Sequence, residues 1–213
     1  MTEALHPEET VTTLILIRHG HTAQTEAGKL YTDPESVLTE KGKQEVAAIS
    51  KLIPNEKPEI LYSSPSVRVK TTAEIIGSAL GQEVNIATEF SEFNVGDWEG
   101  KSYLEIKKAE PEIYAKWSKD PIRNALPGGE SIEQLCARVS KALNKLIGEN
   151  AGKRIALVSH AELIRAVLLE ALGLPLDNYY RISVPTASVS KVDFSAHFAT
   201  LHYSGLRYNI LQS

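Results

Sequence analysis

Leu14-Ile15-Leu16-Ile17-Arg18-His19-Gly20 is the stretch whose reading decides the fold. Its four apolar residues make a run too short for a helix, and it lacks the polar alternation of a strand with one wet face. Such a run predicts a parallel strand buried on both faces. Arg18-His19-Gly20 is then the loop into which the strand opens. Ile155 to Val158 repeats the pattern and ends at Ser159-His160. Ile60-Leu61-Tyr62 and Val84 to Ile86 predict two further short strands.

Amphipathic segments lie between these runs. One helix is predicted from Thr39 to about Leu52, with Val46, Ile49 and Ile53 on one face and Pro54 as its stop. Another is expected to open at Ser64 as N-cap and Pro65 as first helical residue. It carries Ile75, Ile76, Ala79 and Leu80, and Gly81 closes it. Ser131 and Gln134 form a capping-box signal before a helix bearing Leu135, Val139, Leu143 and Ile147. A last helix is predicted from about Glu162 to Leu172, and the tail from Arg181 to Ile210 reads as strands and a hairpin. Residues 91–130 break the rhythm with Trp98, Trp117, Pro111, Pro121, Pro127 and Gly128-Gly129. They read as a small cap insertion with one or two short helices. The expected architecture is a three-layer, doubly wound α/β fold, a mostly parallel sheet flanked by helices, forming a single domain over residues 1–213.

The bulk properties narrow the function. The chain has 213 residues, 42% of them hydrophobic, and a formal net charge of −4. That balance argues against nucleic acid and anionic membrane surfaces as partners. An anionic substrate would need a local cationic pocket. One cysteine, Cys136, excludes an internal disulfide framework and reads as a small buried hydrophobe. Met1 to Thr13 shows no signal-peptide pattern, and no apolar run reaches the length of a membrane span, so a cytoplasmic location is expected. Oligomeric state is not readable.

Such a pocket can be located. In an open parallel sheet, ligands bind outside the carboxyl ends of the strands, which places His19 and His160 on one rim. Arg18 adjoins the first histidine. Arg68, in the first turn of the helix expected at Pro65, can reach the same rim. Helix N-termini there favour anions. Two imidazoles and two guanidinium groups make a site for a tetrahedral dianion. Arginine supplies planar forks for its oxygens, and a neutral histidine supplies a nucleophilic nitrogen. The rival is a metal site built on His19, His21 and His160. It is disfavoured because Arg18 and Arg68 would repel a cation and no carboxylate adjoins these histidines in sequence.

These motifs resemble the histidine phosphatase superfamily, the phosphoglycerate mutase-like enzymes, over most of the chain. Leu16-Ile17-Arg18-His19-Gly20-His21-Thr22 is similar to the family's nucleophile motif, and Leu38-Thr39-Glu40-Lys41-Gly42 to the opening of its first helix. Ser63-Ser64-Pro65-Ser66-Val67-Arg68 with Thr72-Ala73-Glu74 resembles its second arginine motif. Glu92 with Gly96-Asp97-Trp98-Glu99-Gly100 resembles its acid motif, and Pro127-Gly128-Gly129-Glu130-Ser131 and Val158-Ser159-His160 complete the set.

The resemblance implies roles and a metal-independent phosphatase with no cofactor. His19 accepts the phosphoryl group; Arg18, Arg68 and His160 hold its oxygens, with Thr22 helping through its hydroxyl. Glu92 protonates the leaving alcohol and then activates water, with Asp97 and Glu99 as nearby rivals. A pKa raised by the bound phosphate is expected for Glu92. Three positions depart from the family pattern. His21 stands where Glu or Gln is usual. Thr25 stands where many members carry a phosphate-touching Asn. Ala161 follows His160 where Gly is common, and is small enough to preserve a close backbone approach to phosphate.

The expected substrate is a small phosphomonoester: a sugar phosphate, phosphoglycerate or an α-ribazole phosphate. A mutase is one alternative, disfavoured by the shortness of the segment between Gly100 and Ser131. A non-catalytic phospholigand-binding protein is another, and it would need neither nucleophile nor acid. Phe93 to Leu126 is expected to set specificity. Trp98, Tyr103, Tyr114, Trp117 and the lysines read more conservatively as cap packing and a solvated face.

Overall fold

A computed structural model describes residues 10–208. Residues 1–9 and 209–213, on which the leader reading and the end of the expected tail fall, lie outside the described residues. The chain runs β1 (Thr12–Arg18), α1 (Ala23–Glu26), α2 (Glu40–Ile49), β2 (Ile60–Ser63), α3 (Val67–Leu80) and β3 (Val84–Ile86). It continues through α4 (Tyr103–Ala109), α5 (Pro111–Ser118), α6 (Ile132–Glu149), β4 (Arg154–Ser159), α7 (Ala161–Ala171), β5 (Val189–Phe194) and β6 (Ala199–Leu206).

The strands form one sheet in the order β3-β2-β4-β1-β5-β6. The first four are parallel; β5 pairs antiparallel with β1, and β6 with β5, as the hairpin in the tail requires. The period of two along a strand explains the layers. Leu14 and Leu16 point into one apolar cluster with Ile155 and Leu157, and Leu135, Val139 and Val167 from α6 and α7 close over them. Ile15 and Ile17 point the other way, with Ala156 and Val158, against Val46 and Ile49 of α2 and Val69 and Ile76 of α3. Both faces of β1 and β4 are therefore covered, and their residues are apolar without alternation.

Several boundaries differ from the sequence reading. Ser64 is not a cap: α3 starts at Val67, with Ser66 in the N-cap position, and Ser64 is buried in the interior. Its hydroxyl is used by His160 instead. The helix after Thr39 ends at Ile49, because the chain tightens into i→i+3 bonds from Leu52 to Ile49 and from Asn55 to Leu52 around Pro54. Ile53 remains buried in the expected core. Arg181 ends a 3₁₀ helix, Leu176–Arg181, and the hairpin begins only at Val189. Cys136 is half-buried, packed against the core, and burial pushes its thiol up to about 11. The capping box of Ser131 and Gln134 and the two short helices in residues 91–130 are as the sequence indicated.

Candidate active site

The backbone brings the two histidines together. β1 and β4 are adjacent and in register, Arg18 opposite Ser159, so His19 and His160 leave the sheet side by side. The chain after β1 leads to α2 on one face, and the chain after β4 enters α7 on the other. The crevice between them is the switch point where open α/β sheets bind ligands. The rings sit 5.5 Å apart at an interplanar angle of 67°.

The loop carrying His19 is held by close backbone packing. A Cβ on Gly20 would lie 2.6 Å from the Gly42 carbonyl oxygen, and one on Gly42 would lie 2.2 Å from that of His21. Each glycine is therefore a condition for seating the loop on the start of α2. Thr39 caps that helix by accepting from the Gly42 N–H, and Glu45 accepts from the His21 N–H. His21 itself is buried and bonded to the Thr39 hydroxyl.

The protonation of His19 follows from its partners. Its Nδ1 lies 2.8 Å from the Gly20 carbonyl, which can only accept, so Nδ1 carries the hydrogen and Nε2 presents a lone pair. Burial, then coupling to His160 and the positive charges of Arg18 and Arg68, holds the imidazole pKa well below its usual value. The result is a neutral ring with its free nitrogen fixed in tautomer and direction.

His160 is fully buried and also assignable. Its Nδ1 is 2.7 Å from a Glu92 carboxylate oxygen and its Nε2 is 2.8 Å from the Ser64 hydroxyl. Nδ1–H thus donates to Glu92, and Ser64 donates to Nε2. Burial lowers the His160 pKa, with Glu92 opposing. Arg68, fully buried, bonds the Asp33 carbonyl at 2.8 Å and the same Glu92 oxygen at 3.2 Å, and stacks over the Tyr31 ring at 4.8 Å. Arg18 donates to the Val184 carbonyl at 2.7 Å.

Glu92 is the carboxylate that Arg68 and His160 share. Burial raises its pKa, but His160, Arg68 and the Phe93 N–H outweigh this and bring it down to about 2. In this arrangement the carboxylate is the anion of the site. Asp97 and Glu99, its sequence rivals, are engaged elsewhere: Asp97 beside Gly128 and Glu99 on the backbone of Thr32.

The fold also supplies what the sequence lacked for a metal: one donor atom each of His19, Glu92 and His160 lies within 4.8 Å of the others. Yet Arg68 already donates to the carboxylate, and its guanidinium nitrogen is 3.3 Å from His160 Nδ1. A divalent cation among these donors would sit against two guanidinium groups, which still favours an anion. His21 is not part of this group and faces Thr39 instead.

A pocket of about 210 Å³ opens over His19, with Arg18, Thr25, Glu92 and Ala161 in its lining. Neither Arg68 nor His160 is among its lining residues, and nor is Thr22. The Thr22 hydroxyl is buried, caps α1 at the Thr25 N–H and meets the Thr25 and Tyr31 hydroxyls at 2.9 Å. Leu30, Phe93, Val95 and Ile132 form an apolar wall, and Lys29, Tyr103, Glu162 and Tyr180 the polar rim. Sequence reasoning read Tyr103 with the cap packing, and missed Tyr31 and Ser64. Trp98 is fully buried, against Tyr114 and Trp117, so those aromatics serve packing.

The chain is 30% identical over 173 residues to a glucosyl-3-phosphoglycerate phosphatase of Mycolicibacterium vanbaalenii, covering 78% of this chain and 76% of that one. It is 35% identical over 170 residues to a metal-independent phosphoserine phosphatase of Arabidopsis thaliana, covering 78% and 71%. Among solved structures, the α-ribazole phosphatase of Shigella flexneri superposes with a TM-score of 0.83 at 25% identity, covering 92% of this chain and 96% of that one. The family model of the histidine phosphatase superfamily, branch 1, matches residues 14–205, which include the paired strand ends, both histidines and the acid loop. By fold, site and sequence together, the chain belongs to the histidine phosphatase superfamily.

Proposed function

We propose that this protein is a metal-independent phosphatase that hydrolyses a small phosphorylated metabolite through a phosphohistidine on His19. One observation carries the reading: His19 offers an unprotonated, buried Nε2 beside two guanidinium groups, with a carboxylate across the pocket. Phosphoryl transfer needs positioning and charge stabilisation more than covalent chemistry from the protein. Nε2 attacks phosphorus as the P–O bond to the alcohol breaks. Arg18, Arg68 and His160 hold the phosphoryl oxygens, and Thr25 and the Ala161 N–H at the start of α7 border them. Glu92 hands a proton to the leaving oxygen. Water then attacks phosphorus as the P–N bond to His19 breaks, giving its proton to Glu92 and releasing phosphate and the free His19 imidazole.

The low pKa of Glu92 fits this sequence of steps. A phosphoryl dianion draws Arg68 and His160 to itself and places negative charge beside the carboxylate. Both effects raise the Glu92 pKa in the complex. The proton arrives with the ester, whose second pKa is about 6, and is shared within the complex.

The three relatives named above are phosphatases of small phosphorylated metabolites, and a 210 Å³ pocket with one apolar wall suits a compact leaving group. Residues 91–130 would act as the cap, contributing Phe93, Val95 and Tyr103 to the pocket. No helix among the described residues is long and apolar enough to cross a membrane, and a cytoplasmic site of action fits that reading. The test is phosphate release from p-nitrophenyl phosphate in EDTA by wild type and His19→Ala. Turnover that survives EDTA and vanishes in the variant supports the reading; activity retained by the variant overturns it. Conversion of 3-phosphoglycerate to 2-phosphoglycerate without phosphate release would instead mark a mutase.

A further inference from the structure

Glu92 lies in a segment with little regular structure. Between β3 and α4 the chain has only two 3₁₀ turns, Thr88–Phe90 and Gly96–Trp98. No strand ladder fixes that backbone, so its polar groups must find other partners. Around Glu92, several of them find partners on one ion pair. Arg138 of α6 donates from Nη2 to the carbonyl of Glu92 at 2.9 Å, and from Nη1 towards that of Glu89 at 3.4 Å. Glu130 grips the same guanidinium with both oxygens, from Nε at 3.0 Å and Nη2 at 2.9 Å. Glu130 also accepts from the Asn94 N–H at 2.8 Å, and its own N–H donates to the Asn94 carbonyl at 2.9 Å.

The Glu92 backbone is thus tied on both sides, at Glu89 and Glu92 by Arg138 and at Asn94 by Glu130. Its side chain points away from this fork to Arg68 and His160. The pair is one-third exposed at Arg138 and mostly buried at Glu130. An exposed ion pair would add little stability by itself, but this one is bidentate and partly buried. Its geometry does more: a planar fork reads the position of two carbonyls and a carboxylate at once, which an ammonium cannot do.

We infer that Arg138 and Glu130 are positioning residues for proton transfer: they set where the Glu92 carboxyl stands relative to the leaving oxygen. This rests on Glu92 being the general acid. Acids of that kind contribute about 10²–10⁴-fold, and small misplacements forfeit much of it. The loss should show only where the leaving group needs a proton. A nitrophenolate leaves without one; an alkoxide does not.

The experiment measures kcat/KM for p-nitrophenyl phosphate and for glycerol 2-phosphate in wild type, Glu92→Gln, Arg138→Met, Arg138→Lys and Glu130→Gln. The quantity read is the ratio of the two values, which is independent of the fraction of protein folded. Glu92→Gln should depress the alkyl-to-aryl ratio by about 100-fold or more, and each fork variant by about tenfold. Arg138→Lys should behave like Arg138→Met, since charge without the fork is not enough. Fork variants that lower both substrates equally, or neither, while Glu92→Gln discriminates, would overturn the inference and leave the acid assignment standing. A Glu92→Gln enzyme with an unchanged ratio would overturn the acid assignment and this inference with it.

Discussion

The alkaline limb of the pH profile should belong to the substrate, not to the enzyme. Glu92 stands at about 2 in the site as built, held there by His160 and Arg68 against the effect of burial. At pH 7 the carboxylate is then almost entirely ionised in the free enzyme. Reaction requires one proton across the carboxylate and the phosphoryl group, and below the ester's second pKa of about 6 that proton is on the ester. With the carboxylate pKa so low, kcat/KM should fall about tenfold per pH unit above the ester's own second pKa. The perturbation is a pair of esters with the same alcohol, a phosphate and a phosphorothioate, whose second pKa values are titrated separately by phosphorus NMR. The assay is kcat/KM from acidic to alkaline pH. The limb should move with the ester by the measured difference. A limb at the same pH for both esters, above either ester's pKa, would mean that Glu92 carries a raised pKa in the free enzyme. The electrostatic argument would then be refuted.

Other consequences follow from the packing and charge of the site. Gly42→Ala, which in an ordinary helix would stabilise by about 1 kcal/mol, should here destabilise by about 1–3 kcal/mol and lower kcat. The new Cβ would lie 2.2 Å from the His21 carbonyl and push the nucleophile loop, so thermal melts and turnover should both fall. Acid should unfold the protein through its neutral buried imidazoles. His19 and His160 have lowered pKa values when folded, so the unfolded chain binds more protons below its own pKa of about 6.5. Their stabilising contribution is complete above that value and is lost as pH falls, by up to about 1.4 kcal/mol per pH unit for each histidine. Glu92 adds a further loss only below about pH 4.5, as the pH approaches its folded value. Urea unfolding followed at several pH values checks this; equal stability at pH 7 and pH 5 would contradict it, and His19→Gln should flatten part of the slope.

How much of this was legible in sequence depends on what each residue answers to. The strand runs around Leu14–Ile17 and Ile155–Val158 answer to burial on both faces, and the rule that open parallel sheets bind ligands at the carboxyl ends of their strands placed His19 and His160 on one rim. The helix at Ser64 failed because Ser-Pro is a good local cap, yet the tertiary structure uses the Ser64 hydroxyl to orient His160, and the helix opens two residues later. Thr22 was assigned to phosphate from the motif, but its hydroxyl is taken by the α1 cap and Tyr31, a partner nine residues on in an aperiodic loop. The depressed pKa of Glu92 was unreadable because its causes, His160 and Arg68, are distant in sequence. Arg138 carries no local signal in the sequence, since nothing near it distinguishes a solvated arginine from one that holds a distant loop.

The most direct test of the account is to trap the intermediate. Wild type mixed briefly with phosphorus-labelled substrate and quenched in alkali should carry a phosphoryl group that is stable to base, labile to acid and mapped by mass spectrometry to His19. His19→Ala should carry none and turn nothing over. Label on any other residue, or turnover without a phosphoenzyme, would contradict the claim that His19 is the nucleophile.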